Sequence, residues 1–275
     1  MCETCGCSDE GADGHGHEHA HGHEHDSPGR LIALEQNVLA RNDRAAERNR
    51  SRLGSRGILA LNLMSAPGAG TTTLLERTIE DLGASVPIVV IEGDQATTRD
   101  ADRIRAAGAR ALQINTGKVC HLDAEMVSAA LDEIAPAGGS IVMIENVGNL
   151  VCPALFDLGE SARVVIVSVA EGDDKPIKYP HMFRAADVML LNKIDLLPHV
   201  RFDTGRCLAD VRLVNPRLRV LEVSATRGDG LAAWYDWLRE RLAAAARLGS
   251  VGGVAGDDGL AEADPAVVAR HLPVA

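Results

Sequence analysis

Ile58-Leu-Ala-Leu-Asn-Leu-Met-Ser-Ala-Pro-Gly-Ala-Gly-Thr-Thr-Thr-Leu-Leu75 is an apolar run, a glycine turn and the opening of a helix, in that order. A strand ending in such a turn gathers backbone N–H groups at the positive end of the helix, a setting suited to phosphate. Aligned on G-x-x-x-x-G-K-S/T, Gly70 and Thr72 match, Ser65 stands at the first glycine and Thr71 at the lysine. Pro67, Gly68, Ala69, Gly70, Thr71, Thr72 and Thr73 are therefore the phosphate-binding candidates. Threonine offers a hydroxyl where lysine offers a charge to the β and γ phosphates. Affinity and turnover are both expected to fall, the rate by about 10² to 10³ by analogy with losing one preorganised donor. Taken alone, the segment also fits a tight loop before a helix.

Outward from this loop the chain alternates. Short β-branched runs at Ile58–Leu63, Ile88–Ile91, Ala111–Ile114, Ile141–Ile144, Val164–Val169, Val188–Leu191 and Val220–Val223 have the character of buried strands. Helical patterns lie at Thr72–Leu82, Arg99–Ala107, Asp123–Ile134, Thr204–Val214 and Leu231–Leu248. This alternation predicts an α/β fold of the P-loop NTPase type, a mostly parallel sheet covered by helices on both faces. The expected organisation is a metal-binding tail at 1–26, a linking helix at 27–56, the P-loop domain at 57–247 and a flexible tail at 248–275. Ser27-Pro28 caps the linking helix, and Leu31, Leu34 and Val38 mark its apolar side. From Arg41 to Arg56 its arginines interleave with Asp43 and Glu47, as on a solvated face.

Other strand ends add chemistry. In Leu191-Asn-Lys-Ile-Asp195, Asn192 can bond a base edge and Lys193 can cover its ring. Asp195 can accept from N1–H and the exocyclic amine of guanine, a donor pair that adenine lacks. Val223-Ser-Ala-Thr226 makes Ser224 and Ala225 candidates for supporting the base. On the phosphate side, Asp94 of Ile91-Glu-Gly-Asp94 is placed to hold Mg²⁺ directly or through water. Glu145 and Gly148 form an E-x-x-G switch for the γ-phosphate. With Thr72 these three make the catalytic set, whereas Glu92 reads as a helix cap or surface charge. No residue stands out as a general base, a part that positioning and charge stabilisation can replace.

Soft and borderline metal ligands form two groups. Cys2, Cys5 and Cys7 make a C-x-x-C-x-C opening whose thiolates can converge without a fold, on square-planar Ni²⁺ or tetrahedral Zn²⁺. His15, His17, His19, His21, His23 and His25 follow, interspersed with acids in a segment too polar to order itself without metal, and suit metal buffering. Cys120-His121 after the third strand and Cys152 beyond Gly148 form the second group if their loops meet. A metal there would feel loop movement between GTP and GDP, and the nucleotide would feel the metal equally. Three ligands leave one position for water or a partner subunit. Cys207 lies in a helical pattern as a core thiol.

The segments A-P-G-A-G-T-T-T, I-E-G-D-Q, N-T-G-K-V-C-H-L-D-A, E-N-V-G-N-L-V-C-P, E-G-D-D-K-P-I-K-Y-P and N-K-I-D, in this order within residues 1–245, resemble the HypB-type hydrogenase nickel-incorporation GTPases of the SIMIBI class. The resemblance implies a homodimer formed around nucleotide, hydrolysis of GTP to GDP and phosphate with Mg²⁺, and delivery of Ni²⁺ during nickel–iron hydrogenase maturation. It implies a HypA-type nickel chaperone and the hydrogenase large-subunit precursor as partners, and favours nickel over zinc. It also puts the Cys120/His121/Cys152 metal at the dimer interface. The family pattern carries lysine where this chain has Thr71. A nickel-storage protein with a hydrolysis-impaired nucleotide domain is therefore an alternative. A urease-type nickel GTPase is another, disfavoured by the C-x-x-C-G-C opening and C-H-L-D-A.

Composition narrows the setting. With 275 residues, 46% of them hydrophobic and 3% aromatic, the chain can bury a substantial, mainly aliphatic core. Of the net charge of −11, residues 1–30 hold seven acids and one arginine, a net −6, so nucleic acid is not an expected partner. No membrane span or signal-peptide core is legible, and a cytoplasmic location is expected. In a reducing compartment six cysteines read as ligands or buried thiols.

Overall fold

The structure, a computed structural model, describes residues 28–94, 99–117 and 119–252. In chain order its strands are β1 (Leu59–Ser65), β2 (Ile88–Asp94), β3 (Arg110–Asn115), β4 (Ile141–Glu145), β5 (Ala162–Ser168), β6 (Val188–Asn192) and β7 (Arg219–Glu222). They form one sheet in the order β3-β2-β4-β1-β5-β6-β7, and every pairing is parallel. Parallel neighbours need crossovers, and α-helices supply all but the one between β4 and β5. The helices are α1 (Pro28–Ser55), α2 (Thr71–Leu82), α3 (Arg99–Ala106), α4 (Ala124–Ile134), α5 (Lys175–Lys178), α6 (Pro180–Ala185), α7 (Thr204–Val214) and α8 (Leu231–Gly252), of which α1 precedes the sheet and α8 follows it.

The alternation of side chains along β1 shows how both faces are covered. Leu59, Leu61 and Leu63 join a cluster with Leu74, Leu75 and Ile79 of α2 and with Trp234 and Leu238 of α8. Ala60 faces the other way, into a cluster with Leu53 of α1 and Val127 and Leu131 of α4. Met64 joins Phe183, Cys207 and Val211 beside β5 and β6. Central strands β1 and β6 are buried throughout, while edge strands β3 and β7 are partly exposed. The core is mainly aliphatic as expected, although Trp234 and Phe183 are among its largest buried side chains.

All seven predicted strands and the five predicted helices after α1 are present within one or two residues at most ends. Two departures are physical. Val38 does not mark a buried side of α1, being 50% exposed. That helix docks through Ala45, Ala46 and two buried asparagines. Asn42 donates to Asp157 O at 2.8 Å and accepts from Ala124 N at 2.9 Å, and Asn49 donates to Ala124 O and Leu158 O. Its arginines do lie on a solvated face, where Arg48 pairs with Glu125 and Arg50 with Asp157. The second departure is α8, which runs to Gly252, past the expected end at Leu248. Short α5 and α6, each with a proline in its first two positions, have too few residues to show a helical period.

Candidate functional site

The chain leaves β1 in the middle of the sheet, between strands reached by crossovers in opposite directions, where open α/β sheets form a crevice at their carboxyl ends. A cavity of about 530 Å³ opens there, lined by residues 65–73, by Glu92, Gly93 and Asp94 after β2, by Asp100 and Arg103 of α3, and by residues 145–148 after β4. Gly70 turns the loop into α2 with φ +94°, and a Cβ on it would lie 2.7 Å from Asn192 Nδ2. Only glycine fits this left-handed, closely approached position. Thr71 is buried at the start of α2, and its hydroxyl donates to Ser65 Oγ at 2.9 Å. The two departures from the phosphate-loop pattern are thus bonded to each other. Next to them the Thr72 hydroxyl donates to Glu145 Oε1 at 3.4 Å.

On the other side of the loop, the predicted base-recognition residues are wired to it. Asn192 donates to Ala69 O at 2.9 Å and accepts from Ala225 N at 3.2 Å, so its buried amide braces two loops, where sequence pointed to a base edge. Lys193, itself at φ +63°, donates from Nζ to Gly68 O at 2.6 Å. Ser224 donates to Asp195 Oδ1 at 2.6 Å, leaving Oδ2 of that carboxylate outside this bond.

The acids of the phosphate side are arranged differently. Glu92 is neither a cap nor a surface charge: it is only 3% exposed and pairs in register with Glu145 on the adjacent strand. Adjacent β-branched residues pull the end of β2 into the sheet and take Glu92 with it. Burial and then the nearby Asp100 push its carboxyl up to about 7. Burial and then Glu92 push Glu145 up to about 8. Glu92 Oε1 and Glu145 Oε2 have no hydrogen-bond partner among the described residues. Such oxygens suit a hard cation, and Thr72 and Asp94 add oxygen donors beside them. At Gly148 a Cβ would come within 3.0 Å of Pro67, so the switch loop lies against the phosphate loop.

Cys120, His121 and Cys152 do meet. Their ligand atoms all lie within 4.8 Å of one another, Cys120 Sγ being 3.0 Å from Cys152 Sγ and 3.9 Å from His121 Nδ1. Donors about 2.0–2.3 Å from one ion would span nearly that distance. The His121 ring stacks on Phe156 at 3.9 Å, and burial, opposed by Asp123, lowers its pKa and favours the neutral, ligating imidazole. Cys207 is a buried core thiol pushed up to about 12 by burial. Cys2, Cys5, Cys7 and the six-histidine tract lie outside the described residues.

Residues 59–222, from the first residue of β1 to the last of β7, match the CobW/HypB/UreG nucleotide-binding domain. Hydrogenase maturation factor HypB of Rhizobium leguminosarum bv. viciae is 58% identical over 209 residues, covering 76% of this chain and 70% of that protein. The chain belongs to the HypB family. The crystal structure of the HypB from Archaeoglobus fulgidus superposes with a TM-score of 0.70 at 46% identity, covering 74% of this chain and all of that one. HypB from Helicobacter pylori, crystallised in complex with nickel, gives 0.70 at 37% identity over 74% of this chain and 96% of its own.

In the HypB-family domain of this chain two contacts join the phosphate cavity to the Cys120/His121/Cys152 group. Asn146, in the loop after β4, lines the phosphate cavity. Its Oδ1 accepts from Leu122 N at 3.0 Å, next to His121, and its Nδ2 donates to Asn62 Oδ1 of β1 at 3.2 Å. Leu122 also packs so closely on Gly93 that a Cβ there would lie 2.8 Å from it. Asn146, Arg103 and Glu92 are the residues that sequence reading missed as site members. Glu92 left a signal in its place at a strand end two residues before Asp94, and Asn146 in its place inside the E-x-x-G segment; Arg103 left none.

Proposed function

We propose that this chain is a GTP-dependent nickel metallochaperone that hydrolyses GTP to GDP and phosphate during maturation of nickel–iron hydrogenase. The observation carrying this reading is the Asn146 bridge, which ties the backbone beside His121 to the loop lining the phosphate cavity. Names of relatives concern hydrogenase maturation, and a related chain is known in complex with nickel.

In this reading residues 67–73 hold the phosphates, Asp195 takes the guanine edge, and Lys193 covers the ring while Asn192, Ser224 and Ala225 keep the base loops in place. Thr72, Asp94 and Glu145 are the oxygen donors for Mg²⁺, which when bound screens phosphate charge. Glu145–Gly148 moves with the γ-phosphate. Cys120, His121 and Cys152 take Ni²⁺ as cargo, with Zn²⁺ as the competing ion, and Cys2, Cys5, Cys7 and the histidine tract supply it. Val119, Val151 and Leu155, exposed around the triad, fit a second copy of the chain. The HypA-type chaperone and the hydrogenase large-subunit precursor are the proposed cytoplasmic partners.

Nickel titration of the purified chain, apo and with GDP or a non-hydrolysable GTP analogue, tests the reading. The internal triad is expected to change its affinity with the nucleotide, by fivefold or more for a coupling of about 1 kcal/mol. Equal dissociation constants in all three states would overturn it. Thr71 supports a second reading, nickel storage with little hydrolysis, because its hydroxyl is bonded to Ser65 where a lysine would supply charge. GTP turnover indistinguishable from solution background, with nickel still bound, favours storage.

A further inference from the structure

We propose that Arg103 of α3 is the phosphate-binding cation of this chain, holding the triphosphate end of the nucleotide in place of the lysine that Thr71 displaces. This rests on the nucleotide-binding part of the function proposed above. Among the described residues lining the phosphate cavity there are four carboxylates, Glu92, Asp94, Asp100 and Glu145, and one cationic side chain, Arg103. A polyphosphate entering such a cavity meets acids and, among the described lining residues, no lysine, so its charge is offset by bound cations and by this guanidinium. Lys193 lies near the same loop but is bonded to Gly68 O on the base side.

The guanidinium is already aimed. Its Nη2 donates to Thr73 Oγ1, in the first turn of α2, at 3.2 Å. Glu76 grips it through two bonds, at 2.9 Å from Nε and 2.6 Å from Nη2. Asp100 takes only a long contact of 3.3 Å from Nη1. The fork to Glu76 fixes the plane of the group, which reduces the freedom lost on meeting an anion, while Nη1 keeps donor capacity toward the cavity. A solvated pair with Asp100 is readily exchanged for a phosphate oxygen, since exposed ion pairs are weak and charge-assisted bonds to phosphate are strong.

A two-by-two cycle decides between phosphate binding and a merely structural tie to Glu76. GTP-analogue and GDP dissociation constants are measured for the full chain, Arg103→Gln, Thr71→Lys and the double variant. Glutamine keeps an amide for Glu76 and removes the charge. The expected result is a loss of about tenfold or more in triphosphate affinity on Arg103→Gln in the Thr71 chain, a smaller loss for GDP, and a loss under about threefold in the Thr71→Lys background. Arg103→Lys should recover part of the binding. Equal losses in both backgrounds, or equal losses for GTP analogue and GDP, would overturn the assignment. Failure of the unsubstituted chain to bind the analogue while Thr71→Lys binds it would also overturn it, and would leave the GTPase-domain reading intact.

Discussion

The two ends of the nucleotide site are built on opposite plans. At the end proposed to take the base, the motif side chains are already bonded to the protein: Asn192 spans Ala69 and Ala225, Lys193 holds Gly68, and Ser224 holds one carboxylate oxygen of Asp195. At the phosphate end Thr71 turns its hydroxyl to Ser65, while Glu92 and Glu145 face each other across adjacent strands with buried oxygens that lack partners among the described residues. Recognition of a neutral base asks for rigid donors and acceptors. Phosphate binding asks for charge, and here much of that charge must come with the ligand. A site finished at one end and incomplete at the other is expected to select its base firmly and to respond strongly to what occupies the phosphate end.

The largest effect should come from completing the weak end. Thr71→Lys restores a charge beside the β and γ phosphates, and kcat/KM for GTP is expected to rise by roughly 10² to 10³ in a phosphate-release assay. An unchanged rate would mean that the phosphate end is already complete without lysine. The next largest concerns the finished end. Asp195→Asn replaces an acceptor for the two guanine donors with an amide that can donate to a carbonyl at the same place. GTP affinity should fall by about 10², the worth of a charged hydrogen-bond pair, and xanthosine triphosphate should gain relative to it. Competition binding with the two nucleotides measures the ratio, and an unaltered preference would remove Asp195 from base recognition.

The same contrast governs what sequence could show. The position of N-K-I-D was legible because it lies directly after an apolar run, so strand and motif fix each other's place at the end of β6. The sheet was legible for the same reason, since runs such as Val188–Leu191 are buried on both faces and carry no competing helical period. The phosphate end was legible only in part. Gly70 and Thr72 announce the loop, yet Glu92 was misread because one carboxylate in a strand does not reveal that a second lies in register beside it. Arg103 reaches the cavity from α3 through tertiary packing that no local pattern encodes, whereas Asn146 lies inside the predicted E-x-x-G segment and only its bond to the Leu122 backbone was hidden. The buried asparagines of α1 were missed similarly: their partners, Ala124, Asp157 and Leu158, lie many residues away.

Protonation provides a subtler test of the incomplete end. Glu92 keeps its proton to about 7 in the folded chain against an ordinary 4.5, so between those values the folded state holds a proton that the unfolded state has released. Stability is therefore fully present below about pH 4.5, falls as pH rises, and has lost this contribution above about pH 7. The ligand-free chain should lose on the order of 2–3 kcal/mol across this window, with Glu145 adding loss in the same direction toward pH 8. Glu92→Gln should flatten the profile, raising Tm at pH 8 by roughly 5–10 °C while changing it little at pH 4.5. Parallel melting curves for the two chains across pH would show that Glu92 is not held protonated by burial.

The smallest effect lies where the incomplete end meets the Cys120/His121/Cys152 triad. Asn146 donates to β1 and accepts from the backbone beside His121, so in the proposed function a shift of its loop with the phosphates would move one ligand relative to Cys152 in the same loop's continuation. Asn146→Ala removes both bonds and leaves the Leu122 N–H without its acceptor, at about 1–3 kcal/mol of stability. The expected signature is in a ratio: nickel affinities with GTP analogue and GDP, separated fivefold or more in the full chain, should converge to within about twofold in the variant. The ratio cancels a uniform loosening of the fold, which would weaken both affinities alike. A ratio that survives the substitution would assign transmission to the packing of Leu122 on Gly93, the other contact joining the triad loop to the phosphate cavity. The two routes can then be separated by Leu122→Ala, which removes that packing and retains the Asn146 bond to the backbone N–H.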